Sequence, residues 1–102
     1  MDKKPVYLIG DIQVKNMKEY KKYVAQVTPV AAKFGGKYLI RGGTIDTIET
    51  NKWKPNRIVL IRFPNKEAAM SWYHSEEYKP IKKIRADNSI SEMIFVEGAE
   101  PN

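Results

Sequence analysis

At 102 residues the chain has room for one domain with a modest core. Its 42% hydrophobic and 29% charged residues suit a globular protein, and the lack of Cys excludes a disulfide framework, a thiol nucleophile and a thiolate metal site. A net charge of +6 raises the question of nucleic acid, but the lysines are scattered and only Arg41, Arg57, Arg62 and Arg85 are arginines. A nucleic-acid surface wants a dense basic stripe interleaved with aromatics, so no such partner is expected. The apolar run Val6–Gly10 is too short for a signal peptide or a membrane span. The expectation is a cytoplasmic protein with no membrane partner.

Residues 6–14 alternate as a strand does, with Val6, Leu8, Ile12 and Val14 on one side and Tyr7, Ile9, Asp11 and Gln13 on the other. Asn16 and Glu19 then form a capping-box signature. Tyr20, Tyr23, Val24, Val27, Ala31 and Phe34 recur at helical spacing, one apolar stripe. Pro29 should kink that helix without ending it, and Gly35-Gly36 should stop it. A second strand covers Lys37–Arg41; Gly42-Gly43 suggests a bulge or bend, with strand pattern resuming over Thr44–Glu49. Asn51 to Asn56, holding Trp53 and Pro55, reads as a turn, and Arg57–Phe63 as the clearest strand. Pro64-Asn65 begins a helix carrying Ala68, Ala69, Trp72 and Tyr73; Ser75 caps a third helix, with Glu76 and Glu77 in its first turn and Tyr78, Ile81 and Ile84 facing inward. Ser89–Glu97 makes the last strand, and residues 98–102 a frayed tail.

This order predicts an α+β fold, a ferredoxin-like βαββαβ antiparallel sheet with its helices on one face. Both faces of the sheet carry apolar residues. Ile58 and Leu60 oppose Val59, Ile61 and Phe63, while Tyr7 and Ile9 oppose Val6 and Leu8. One helical layer covers one face, and at about 25 cal/mol per Å² a bare second face forfeits several kcal/mol. A homodimer, sheet against sheet, is the expected cover, giving a dimeric α/β barrel.

From Gly35-Gly36-Lys37-Tyr38-Leu39-Ile40-Arg41-Gly42-Gly43, through Ile48-Glu49, Trp53, Pro55-Asn56-Arg57, Phe63-Pro64, Ala69, Trp72, Ser75-Glu76-Glu77-Tyr78 and Arg85, to Val96-Glu97-Gly98, the chain resembles the DUF1330 family. That resemblance spans about residues 6 to 98 and implies the dimeric α+β barrel superfamily, which also holds antibiotic-biosynthesis-type monooxygenases. It brings no agreed activity. The chain departs from the family pattern at Asn16, Thr50 and Arg62, where Asp, Gly and an acidic residue are expected.

Arg41, Arg57 and Arg85 offer planar forks suited to carboxylate or phosphate; the competing reading for Arg41 and Arg85 is an ion pair with Asp11, Glu49 or Asp87. Glu49, Trp53 and Arg57 should cluster at the turn, Trp53 as a lid over the barrel mouth or a packing residue. Asp11 should point away from the helices into the barrel, as a base with raised pKa or a partner of Arg41 or Arg62. His74 is the only imidazole. Without Cys it makes no zinc site, and it reads as a surface or capping residue, with a general base oriented by Asp11 or Glu49 as the alternative. Tyr78 completes the candidates. Gly35-Gly36-Lys37 runs into Tyr38 and a strand, unlike a phosphate loop. RNA-recognition modules share the βαββαβ order but need aromatics where residues 58–61 are aliphatic. Two functions remain: a binder of a small anionic or aromatic molecule in the barrel interior near Arg41, Asp11 and Trp53, or a cofactor-free monooxygenase or isomerase, an idea resting on fold analogy. No cofactor and no metal is expected in either.

Overall fold

A computed structural model describes residues 4–99. The elements are β1 (Val6–Val14), α1 (Met17–Lys33), β2 (Lys37–Arg41), β3 (Ile58–Phe63), α2 (Lys66–Tyr73), α3 (Tyr78–Asn88) and β4 (Ser89–Glu97). The strands form one antiparallel sheet in the order β2-β3-β1-β4, the βαββαβ arrangement expected. β1 lies in the centre, paired with β4 from Val6↔Glu97 to Val14↔Ser89 and with β3 from Val6↔Phe63 to Asp11↔Ile58.

Local chemistry sets the helix ends. The Asn16 side chain accepts from the Glu19 N–H, but Glu19 turns to Lys22, so half of the capping box forms. α1 runs through Pro29; the lost bond falls on the exposed Ala25 and Pro29, where water can take the freed carbonyl. At its end Gly35, at φ 81, donates to the Ala32 carbonyl and Gly36 to that of Ala31, a left-handed stop that glycine adopts at little cost. Asn65 caps α2 through the Ala68 N–H. Ser75 joins α2 to α3, its hydroxyl donating to the Trp72 carbonyl and accepting from the Tyr78 N–H.

The core lies between sheet and helices. Val6, Leu8, Ile12, Val59, Ile61 and Phe63 from the sheet meet Tyr20, Tyr23, Val27, Ala69, Trp72, Tyr78 and Ile81 from the helices. Trp72, fully buried, stacks on Tyr78 at 4.3 Å and on Phe63 at 5.2 Å between ring centroids. The other face is bare: Ile9, Leu39, Ile40, Ile90, Ile94 and Val96 are all exposed.

Three expectations need correction. Thr44–Glu49 forms no strand; these residues belong to a long segment between β2 and β3, since alternation without a partner edge makes no ladder. The bulge sits at Leu39, between the pairs Tyr38↔Ile61 and Ile40↔Leu60, while Gly42, at φ 70, makes the bend that ends β2. Gly98 does not fray: its N–H donates to the Pro5 carbonyl at 2.8 Å. The remainder of that tail, residues 100–102, lies outside the described residues.

Candidate functional site

The bulge builds the site. Tyr38 opposes Ile61 and Arg41 opposes Val59, both partners buried against the helices. In an unbroken strand, residues three apart face opposite ways; the extra residue at Leu39 returns Arg41 to the side of Tyr38. Its guanidinium lies 3.9 Å over the Tyr38 ring. Arg57, just before β3, projects to the same side and sets its guanidinium 5.7 Å from the Tyr20 ring centroid.

These groups line a cavity with Tyr20, Tyr23, Val24 and Val27 of α1, Tyr38, and Ile12, Val59, Ile61 and Met93 of the sheet. Its enclosed free volume is ≈ 10 Å³, about one water. No carboxylate and no imidazole lines it. The Arg57 Nε is buried without a hydrogen-bond partner. Burial pushes the phenols of Tyr20, Tyr23 and Tyr38 above their ordinary value, a shift that Tyr78 reinforces at Tyr23 and Tyr38, and that Arg57 only partly offsets at Tyr20. The phenols therefore stay neutral and can donate hydrogen bonds.

Behind the cavity, the Tyr23 and Tyr78 hydroxyls meet at 2.9 Å. Arg85, 6% exposed, holds its guanidinium 5.9 Å from the Tyr23 ring, and its Nε also lacks a partner. Burial works against its charge, but Tyr78 and Tyr23 more than offset that, leaving its pKa raised. Tyr78 and Arg85 thus back the cavity without lining it.

Other candidates lie elsewhere. Asp11 faces the opposite side of the sheet and forms no pair with Arg41. Its carboxylate accepts from the Trp53 indole at 2.7 Å and from the Asn56 N–H at 2.8 Å. Burial pushes its pKa up, but these bonds outweigh it and hold the carboxyl below 3.8, the reverse of the raised value expected of a base. Through that indole bond Trp53 clasps the long segment to β1. The ion pairs expected of Arg41 and Arg85 are absent among the described residues; Asp87 pairs with Lys83 instead. Glu49 is exposed in the long segment. His74 ends α2, exposed, its ring edge-on to Tyr73 in a surface hollow with Ser75, Glu76, Lys79 and Lys82, and neither Asp11 nor Glu49 lines that hollow. Among the described residues no group of three or more His, Cys, Asp or Glu is placed to hold a metal, and no helix is long and apolar enough to cross a membrane.

Sequence reasoning missed Tyr20, Tyr23 and Tyr38, assigning the first two to the apolar stripe. A signal was present: a helix stripe that uses Tyr where Leu would serve must find partners for buried hydroxyls.

A four-stranded antiparallel sheet with its helices on one face, and a carboxylate-free pocket of arginines and phenols beneath them, defines a ferredoxin-like α+β domain. The chain belongs to the family described as "Domain of unknown function (DUF1330)", whose model matches residues 5–99. No curated protein matches it. Among solved structures it is similar to the RPA0582 protein of unknown function from Rhodopseudomonas palustris, at TM-score 0.77 and 16% identity over 97% of this chain and 85% of that one. It is also similar to SnoaB, a cofactor-independent oxygenase from Streptomyces nogalater, at TM-score 0.64 and 16% identity over 95% of each chain. A dimeric protein of unknown function and ferredoxin-like fold from Bacteroides fragilis matches at TM-score 0.55 and 14% identity, over 96% of this chain and 100% of that one. At these identities the likeness is one of fold.

Proposed function

We propose that the protein is a cytoplasmic homodimer that binds a small anionic aromatic molecule in the cavity between sheet and helices, held by Arg41 and Arg57. The observation that carries this reading is a pair of guanidiniums beside neutral phenols with no carboxylate among them. Arg41 is exposed and Arg57 half-buried, and a guanidinium that lacks a protein counter-ion is a seat for a carboxylate or phenolate ligand. Two subunits meeting across the open sheet face would cover Ile9, Leu39, Ile40, Ile90, Ile94 and Val96, apolar side chains that are all exposed in the single subunit; the dimeric neighbour of like fold supports this. Calorimetric titration with benzoate and salicylate tests the site. Binding is expected in the native protein and is lost in Arg41→Ala with the dimer intact. Absence of heat at millimolar ligand, or unchanged affinity in Arg41→Ala, overturns it.

A cofactor-free oxygenase is the second reading, favoured by the likeness to SnoaB. The cavity can stabilise an enolate or phenolate but offers no base to create one. A substrate would have to ionise unaided and itself donate electrons to oxygen. Oxygen uptake in the presence of an easily ionised dihydroxyarene supports this reading; none discards it.

A further inference from the structure

We infer that Arg57 is the movable door of the cavity, resting on the anion-binding reading above, and that a planar carboxylate enters past it and is then paired by it. The enclosed chamber holds about one water, so any larger ligand needs a wall to move. Two hollows lie outside it. One of ≈ 560 Å³ along β2 meets the chamber only at Arg41, whose guanidinium is held on the Tyr38 ring at 3.9 Å. The other, of ≈ 300 Å³, is lined by Ile12, Val14, Met17, Gly42, Asn56 and Arg57. Only Ile12 and Arg57 line both the chamber and this smaller hollow. Ile12 is 1% exposed in the central strand and cannot yield. Arg57 can: it is a long, half-buried side chain whose Nε has no partner, and swinging it costs only its contact with the Tyr20 phenol.

The frame of this door is fixed. The Arg57 carbonyl accepts from the Ile12 N–H at 2.9 Å, and the preceding Asn56 is tied to Asp11, which also holds Trp53. Gly42, at φ 70, donates to the Ile58 carbonyl. A Cβ there would stand 2.2 Å from the Arg57 Nη1, so the closed guanidinium fills the space of the side chain that Gly42 lacks. Glycine at this point leaves the door room to shut.

The test reads the door without a ligand and then with one. In ¹⁵N NMR of the native dimer, the Arg57 Nε–H should exchange with water faster than that of Arg85, a buried arginine on no hollow, by about tenfold or more. Asp11→Asn should accelerate Arg57 further and leave Arg85 unchanged. Benzoate should slow Arg57 exchange, and Arg57→Ala should raise both its association and its dissociation rate. Equal protection of Arg57 and Arg85, or no response of Arg57 to Asp11→Asn, overturns the door even if benzoate binds. A fast Arg57 with no benzoate binding leaves the door standing and removes the carboxylate reading instead.

Discussion

The two faces of the sheet are made by alternate residues of the same strands, yet they have different fates. On the helix side Val59 and Ile61 are buried under α1, and the polar groups lining the cavity beside them are arginines and phenols. On the open side Ile58 and Leu60 stand beside Ile9, Ile94 and Ile40 with no layer above them. Charge is divided the same way. The helix-side guanidiniums lack carboxylates, whereas the carboxylate of Asp11 on the open side is satisfied by an indole and a backbone amide. A satisfied acid is an anchor, and unsatisfied cations are a reason to expect a ligand.

Substitutions on each side should separate these roles. The largest effect belongs to the sealed side: Trp72→Ala, removing a ring stacked on Phe63 and Tyr78, should cost about 3–5 kcal/mol in urea unfolding. A loss below ~1 kcal/mol would mean that the core does not depend on that stack. On the open side Ile94→Glu, at a position 60% exposed, should leave the subunit fold intact but weaken the proposed homodimer by several kcal/mol, since like charges would meet across its two-fold axis. Sedimentation showing the same dimer in that variant would place the interface elsewhere.

A smaller effect is expected where the long segment is pinned. Asp11→Asn keeps shape but loses charge on two hydrogen bonds, a cost of about 1–2 kcal/mol. Because the folded carboxyl titrates below 3.8, its contribution is complete above the unfolded pKa and is lost as pH falls through the lower folded value. Unfolding followed by pH titration should therefore show an acid limb that is smaller in Asp11→Asn; an identical limb would remove Asp11 as its source. Smallest of all, His74→Gln should change stability by less than about 0.5 kcal/mol and leave benzoate affinity untouched. A loss of affinity there would return His74 to the site.

The framework was legible in the residues because it depends on local periodicity and cap chemistry. Alternation marked β1, a run of apolar β-formers marked β3, the tyrosine and valine stripe marked α1, and Asn16, Gly35 and Asn65 marked ends. α3 starts later than expected, at Tyr78, with Glu77 at its cap and Glu76 before it. The candidate site was legible only in part. Arg41 and Arg57 could be named as anion-binding forks, but not as neighbours, and the tyrosines between them passed for core.

From sequence alone came the element order, the helix ends and the apolar character of both sheet faces, all set by interactions within a few residues along the chain. Tertiary structure alone decided which face Arg41 reaches and what Asp11 meets on its own face. One extra residue at Leu39 turned Arg41 toward the helices, and pairing with Trp53 and Asn56 made Asp11 an anchor rather than a base. Facing depends on register against a neighbouring strand, and a shift of one residue reverses it.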